Sequence, residues 1–257
     1  MYNRPVIARR NLFTLLLLLA SVPLRAQGGP PMITDDPDVV GDRNWEINAA
    51  DVATISRTHR SDAVPYLDVN YGVGDSLQLK LEGGYVVSRD YGSPALSGPG
   101  ALLAGVRWRF LDQSKNGVLS ASFYPQFGFR PVYASGNPDI ADPGNQWLIP
   151  LQFSKHWGKF TLNPDVGYQY RTRDADAWFG GLLAAYEPRP DLEFMAELHG
   201  DVLAKNGRND LLYNLGTRVP LVGKLWLLLS AGHTLKTLPG TDPAWLTYAG
   251  LQLRLEH

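Results

Sequence analysis

Residues 146–156 read Gln-Trp-Leu-Ile-Pro-Leu-Gln-Phe-Ser-Lys-His, and this stretch decides the fold class. The apolar side chains that share one face are Trp147, Ile149, Leu151 and Phe153. The polar side chains of the opposite face are Gln146, Gln152, Ser154 and His156. A period of two is typical of a β-strand, because successive side chains of a strand point to opposite sides. The stretch therefore predicts a strand with one apolar face and one polar face.

The same alternation recurs in twelve short segments between Trp45 and Glu256. The predicted strands are residues 45–56, 63–71, 75–87, 100–111, 117–130, 145–156, 158–172, 176–187, 191–203, 208–219, 223–236 and 244–256. Connections after even-numbered strands are tight, whereas most of those after odd-numbered strands are longer, notably Ser88–Pro99 and Pro131–Gly144. Outer-membrane barrels have short periplasmic turns and longer external loops. The sequence predicts an all-β fold, a single antiparallel transmembrane β-barrel of about twelve strands with both termini in the periplasm.

The apolar face of the predicted strands is assigned to the lipid, with Leu79, Phe160 and Leu227 among its members. Aromatic residues gather towards the strand ends, where Trp and Tyr rings favour the membrane interface. A soluble β-sandwich also contains alternating strands. It would not need aromatic residues at so many strand ends or this alternation of connection lengths, so the pattern favours the barrel.

The first 26 residues are typical of a secretory signal peptide. A basic start precedes the apolar run Leu12–Ala20, which is too short for a spanning helix and is followed by small residues. We expect cleavage near Ala26 and localisation in the bacterial outer membrane. The expected domains are a signal peptide at 1–26, a periplasmic N-terminal segment at 27–44 and the barrel at 45–257.

Composition excludes several classes of function. The chain of 257 residues contains no cysteine, so disulfides and thiolate metal sites are impossible, and its formal net charge of −1 argues against a nucleic-acid partner. The five histidines have no metal-binding spacing, and no glycine-rich phosphate loop occurs. We therefore predict no cofactor, no metal ion and no enzymatic activity. A lipid hydrolase assembled from His and Ser on neighbouring strands is a less favoured alternative.

Charged residues mark the face assigned to the lumen. Basic residues concentrate on the fourth and fifth predicted strands, and acidic residues concentrate on the ninth. The candidate pore-lining residues are Lys80, Glu82, Arg107, Arg109, Arg130, Glu193 and Glu197. Two interpretations stay open. Either these groups pair and seal the lumen, because charges away from bulk water need partners, or they line a wet constriction whose transverse field orients polar or zwitterionic solutes.

Motifs in the first third of the expected mature chain resemble a known family. Residues 30–37 read Pro-Pro-Met-Ile-Thr-Asp-Asp-Pro, and Trp-Glu-Ile-Asn follows at 45–48. Residues 64–72 read Val-Pro-Tyr-Leu-Asp-Val-Asn-Tyr-Gly, and Leu-Gln-Leu follows at 77–79. Together with Gly-Val-Arg-Trp-Arg-Phe at 105–110, these motifs resemble the outer-membrane transporters assigned to the MetA pathway of phenol degradation. That family carries Lys and Tyr where Arg107 and Trp108 stand here.

This resemblance implies an outer-membrane barrel for the uptake of aromatic or other hydrophobic compounds. We therefore predict a passive channel for small hydrophobic or aromatic solutes, with outer-membrane lipid and the barrel-assembly machinery as its other partners. The alternative is a structural or adhesion barrel that transports nothing. A sealed lumen would favour that alternative, and a continuous path would favour transport. Residues Thr34–Pro37 have the chemistry of a capped turn, which we favour over a cation site because two carboxylates fall short of the six to eight oxygen ligands of Ca²⁺.

Overall fold

The computed structural model describes residues 29–129 and 144–257 of the chain. Its strands are β1 (Trp45–Ser56), β2 (His59–Val73), β3 (Leu77–Asp90), β4 (Leu96–Leu111), β5 (Ser120–Phe123), β6 (Gln126–Phe129), β7 (Gln146–Trp157), β8 (Phe160–Arg171), β9 (Ala177–Arg189), β10 (Leu192–Leu203), β11 (Leu211–Val222), β12 (Leu225–Lys236) and β13 (Ala244–Leu255). One short helix, α1 (Gln113–Asn116), lies between β4 and β5. Within these two ranges no helix has the length and apolar character needed to span a membrane.

The strands form one antiparallel sheet that closes on itself, because β1 pairs with β13 from Trp45 opposite Leu255 to Ser56 opposite Ala244. β5 and β6 both pair with β4 on one side and with β7 on the other. They are therefore two halves of one strand, interrupted at Tyr124 and Pro125. Proline has no N–H group to donate to a ladder, which suits it to such a break. The prediction of a closed antiparallel barrel of twelve strands is confirmed.

The largest departures from the predicted strand bounds occur in the hairpins formed by β2, β3 and β4. The stretch Ser88–Pro99 was predicted to be a loop, but β3 continues to Asp90 and β4 begins at Leu96. Backbone pairing continues there although glycine, serine and proline interrupt the alternation of side chains that the prediction used. β2, β3 and β4 contain 15, 14 and 16 residues, whereas β1 and β13 contain 12 each.

Three predictions fall on residues outside the described ranges. They are the signal peptide at 1–26, the lumenal position of Arg130 and most of the loop Pro131–Gly144. These stay predictions.

Burial alternates along the strands with the predicted register. Apolar side chains that are exposed on the outer surface include Leu79, Leu81, Trp108, Phe160, Phe194 and Leu229. Polar side chains that are buried inside the barrel include Asn48, Asp68, Gln152, Asn163, Asn214 and Gln252. A water-soluble barrel would bury its apolar side chains instead. Apolar groups outside and polar groups inside are the arrangement of a barrel surrounded by lipid.

Residues 29–40, ahead of β1, lie inside the barrel. The chain meets the wall at the end where β1 begins and β13 ends, where Gly72 N–H donates to Asn44 O over 3.0 Å. It then continues into the lumen, and its innermost turn is closed by a hydrogen bond from Gly29 N–H to Thr34 O of 3.1 Å. We call residues 29–40 the lumenal segment.

The sequence prediction placed residues 27–44 outside the barrel, in the periplasm, and the position of residues 29–40 corrects this. The reason is electrostatic. Charged groups on the inner wall need partners once they are removed from bulk water, and the carboxylates and backbone groups of the lumenal segment supply them.

Candidate functional site: the lumen and its N-terminal segment

On one wall, two arginines of β4 bind the lumenal segment. Arg107 donates to Asp38 O over 2.8 Å and forms an ion pair with Asp35. Arg109 forms an ion pair of 2.9 Å with the Asp38 carboxylate. The guanidinium of Arg107 also lies 4.3 Å from the centre of the Tyr124 ring, a distance at which a cation and an aromatic face attract each other. All these charged groups lie largely out of water, so their pairing fixes the position of the segment.

On another wall, a carboxylate of β10 binds the innermost turn of the segment. Glu197 accepts hydrogen bonds from Ile33 N–H over 3.0 Å and from Thr34 N–H over 2.8 Å. Asn214 of β11 donates to the same carboxylate over 3.0 Å. Hydrogen bonds to an ionised acceptor are stronger than neutral ones. Glu197 therefore ties the turn to the wall and satisfies two backbone groups that would otherwise be buried without a partner.

The end of the segment near Gly29 is bound by β11 and β12. Arg218 donates to Pro30 O over 2.7 Å and forms an ion pair of 3.1 Å with Glu193. Ser230 donates to Pro31 O over 2.8 Å. Proline carbonyls are free to accept these bonds because the segment is not part of a strand ladder. The wall thus binds the two prolines through hydrogen bonds to their backbone oxygens.

Two glycines of the wall make room for the segment. A Cβ at Gly216 would lie 2.7 Å from Met32 Sδ, which is too close for two heavy atoms that are not bonded. A Cβ at Gly181 would overlap Thr34 Oγ1. The inner wall is therefore shaped to the segment at these two points.

The lumenal segment connects nearly opposite walls of the barrel. β4 and β10 are five strand-to-strand steps apart in one direction around the ring and seven in the other. The basic pair Arg107 and Arg109 and the acidic residue Glu197 therefore do not face each other across open space. Each of them contacts the segment that lies between them. In this arrangement the predicted lumenal charges are largely neutralised by pairing.

The remaining predicted site residues of the described ranges also form ion pairs. Lys80 and Glu82 of β3 pair with each other over 2.8 Å, and Lys80 is also 3.7 Å from Asp68. Glu193 is buried beside Arg218, as described above. The structure thus brings Arg107, Arg109, Glu193 and Glu197 together around the segment, and it places the Lys80–Glu82 pair beside a cavity. Their role in conduction stays a prediction.

Sequence reasoning did not identify the lumenal segment itself as part of the site. Asp36 Oδ1 accepts a hydrogen bond of 2.7 Å from Asp38 N–H, which is the turn chemistry expected from the sequence. The carboxyl of Asp36 is buried, and this burial together with the nearby carboxylate of Asp38 raises the pKa of Asp36 well above its usual range. In the part of the chain that is described, no group of three or more His, Asp or Glu side chains could hold a metal ion. A usable signal was present in the sequence, namely three aspartates between residues 35 and 38 ahead of a strand with inward arginines.

Two cavities lie on either side of the lumenal segment. The loop-end cavity, of about 480 Å³, is bordered by residues 29–33 of the segment together with Tyr66, Leu148, Phe179 and Leu246. The second cavity, of about 680 Å³, lies at the end where β1 begins, and it is bordered by residues 38–41 together with Glu46, Trp226 and Arg254. The segment therefore divides the lumen into two compartments.

Comparison with known proteins identifies the fold. No family and no curated protein matches the chain. An outer membrane channel from Pseudomonas putida F1 is 13% identical, with a TM-score of 0.67 over 89% of this chain and 100% of that chain. The NanC porin is 9% identical, with a TM-score of 0.61 over 81% of this chain and 100% of that chain. The KdgM porin is 10% identical, with a TM-score of 0.56 over 82% of this chain and 99% of that chain.

The chain has the fold of an outer-membrane channel. Identities this low show a shared fold and leave the solute undetermined. The closed barrel, its apolar outer surface and this fold locate the protein in the bacterial outer membrane.

Proposed function

We propose that the protein is a channel for small hydrophobic or aromatic compounds, and that a solute passes when the lumenal segment moves aside. The observation that carries this proposal is the division of one lumen into cavities of about 480 and 680 Å³ by a segment that no disulfide fixes to the wall. Displacing the segment would join the two cavities into one path.

The loop-end cavity supports the proposed class of solute. It is bordered by the apolar side chains of Met32, Leu148, Phe179 and Leu246. Ile33, at the innermost turn, is 40% exposed and also borders this cavity. Polar side chains, among them Lys80, Glu82 and Gln152, also border it. Small-molecule sites combine apolar surface with polar groups that fix the orientation of the ligand. The resemblance of the N-terminal motifs to transporters of phenol-degradation pathways favours the same class.

A specific observation favours the alternative of a structural barrel that transports nothing. Thr34 and Asp36 are almost completely buried, and the segment is bound on several walls at once. If the segment never leaves, the lumen is sealed. The two functions therefore differ in whether the segment must move, and an experiment can decide between them.

The test is a reversible link between the segment and the wall. The side chain of Thr34 meets the backbone of Gly181 closely enough for a disulfide after Thr34→Cys and Gly181→Cys, and the chain has no other cysteine. We expect the reduced variant to admit labelled toluene into intact cells at least as fast as wild type, because the new Cβ at position 181 crowds the segment and nothing fixes the segment in place. The oxidised variant should admit at least tenfold less, because the segment is fixed in place.

Gly181→Cys alone places a Cβ against Thr34 Oγ1, so each single-cysteine variant is compared with itself before and after the same oxidant, and its uptake should not change. Equal uptake by the oxidised and reduced double variant would show that the segment need not move. If cells with the wild-type or variant barrel take up toluene no faster than cells without the barrel, whether oxidised or reduced, the result would favour the structural alternative.

A further inference from the structure

Two arginines lie side by side on the outer surface at the loop end of the barrel. Arg60 of β2 is directly opposite Arg89 of β3 in the antiparallel ladder. β3 pairs without an inserted residue, so Arg89 shares the outward face with Leu79, Leu81 and Tyr85. Like charges directly opposite each other destabilise a sheet unless an anion lies near them.

The height of this pair corresponds to the lipid headgroups. Arg89 is twelve residues beyond Leu77, the first outward apolar residue of β3. A strand rises about 3.3 Å per residue and a barrel strand is tilted by roughly 35–45°, so the backbone of Arg89 lies about 30 Å above that of Leu77. The apolar band of such barrels is roughly 25 Å tall. The arginines are therefore just beyond the band, above the exposed ring of Tyr85.

The charges of the pair are only partly compensated by the protein. Arg60 is paired with the carboxylate of Asp62, with distances of 2.7 to 3.1 Å. Among the described residues, no carboxylate forms an ion pair with Arg89, whose guanidinium lies 5.9 Å from the centre of the Tyr91 ring. Arg57, in the turn between β1 and β2, is also exposed. Asp62 acts electrostatically on both arginines, and Asp51 also acts on Arg60. Two carboxylates thus serve a site with up to three guanidinium groups.

We propose that Arg60 and Arg89 bind a phosphate group of a lipid in the leaflet around the loop end, specifically a phosphate of lipid A, which fits the outward orientation of the loop end that the connection lengths predict. Guanidinium groups bind phosphate oxygens in pairs. The fork of Arg89, together with the N–H groups of Arg60 that Asp62 does not accept from, matches one phosphate. The apolar side chains of Ile55, which is opposite Arg60, and of Val87 continue the same outer face towards the membrane. They would contact the acyl chains of the bound lipid. This site does not depend on the channel function.

The experiment measures lipid binding to the purified barrel in dodecyl maltoside by native mass spectrometry. The probe is diphosphoryl lipid A. Because each basic residue near an anionic headgroup contributes a modest increment, we expect Arg60→Gln with Arg89→Gln to weaken binding by about 10- to 30-fold. The matched control is Arg189→Gln with Lys224→Gln, which removes two exposed, paired cations at the opposite end and should leave binding unchanged.

Further arms separate the sources of affinity. Lipid A without phosphates should bind wild type and the arginine variant equally weakly, and millimolar inorganic phosphate should not displace the lipid. A variant with Arg60→Lys and Arg89→Lys keeps both charges and should lose only part of the affinity, since the bidentate geometry is gone. Heat-dependent gel mobility checks that each barrel is folded. If the glutamine variant does not fold, the lysine variant tests the site. Wild-type affinity in the folded arginine variant, or an equal loss in the control variant, would overturn the proposal. Displacement by inorganic phosphate would overturn the assignment to a lipid.

Discussion

At the scale of single residues, Arg107 and Arg109 hold the lumenal segment through buried ion pairs. Removing one partner of such a pair leaves the other charge uncompensated, which typically costs about 3–5 kcal/mol. We expect Arg107→Ala with Arg109→Ala to weaken the docking of the segment and to raise single-channel conductance in planar bilayers. Arg189→Ala removes an exposed cation and should change nothing, because surface ion pairs contribute little. Conductance identical to wild type in the double variant would show that these arginines do not hold the lumen closed.

Leu81 tests the assignment of the two faces. It is outward and 49% exposed, and it lies about 10 Å above Leu77 along the membrane normal. Because this is near the middle of the apolar band, Leu81→Arg should destabilise folding into lipid vesicles by about 2–4 kcal/mol. Leu235 lies near the loop end of β12, where Leu235→Arg should cost about 0–1 kcal/mol. Urea titration of vesicle-embedded protein measures both. Equal costs would mean that Leu81 is not surrounded by hydrocarbon. Gln78, on the opposite face of the same strand, is a poor control, because it is buried and accepts a hydrogen bond from Val40 N–H.

At the scale of elements, docking of the lumenal segment should depend on pH through Asp36. Burial and the carboxylate of Asp38 raise the pKa of Asp36 in the docked state above the ordinary value of 3.8. An acid whose pKa is higher in the docked state stabilises docking in its protonated form. This stabilisation is complete at pH values below the pKa of the undocked state, and it is lost as the pH rises through the pKa of the docked state. We expect hydrogen exchange of residues 32–38, corrected for intrinsic rates, to show weaker protection as pH rises above about 4. Asp36→Asn keeps the acceptor oxygen and should flatten this dependence; an equally steep profile would exclude Asp36 as its source.

The strands could be predicted from the sequence, whereas the position of the lumenal segment could not. A strand's position follows from local alternation, and residues such as Trp147 and Gln152 point to the predicted faces because a one-residue slip would reverse all of them. The lumenal segment has no such period. Its contacts, for example between Thr34 and Glu197, join residues that are 163 positions apart, and no local pattern encodes which strand will face them. The break at Pro125 was also missed, because both flanking halves keep the same alternation.

At the scale of the whole molecule, the orientation in the membrane is a prediction. At the end where β1 begins and β13 ends, most connections are short, and those at 158–159, 190–191 and 223–224 have two residues each. The connection at 112–119, which contains α1, is the exception. At the other end, the loops after β10 and β12 have seven residues each. Short turns are periplasmic in barrels of this kind. We expect a peptide tag inserted at Gly92 to be labelled by an antibody on intact cells, and a tag at Asn116 to be labelled only after permeabilisation. The reverse pattern would invert the topology.

The seam between β1 and β13 has a consequence for the order of folding. Trp45 and Leu255, which pair there, are separated by almost the whole barrel sequence, whereas every other ladder joins strands that are near neighbours in the chain. The entropy of closing a loop grows with its length, so distant pairings are expected to form late. The lumenal segment leads directly into β1 and so lies next to the last gap to close. The sheet can therefore curve around the segment while the gap between β1 and β13 is still open. At that stage the aspartates of the segment already neutralise the arginines of β4. Pairing of β1 with β13 then encloses ion pairs that have already formed.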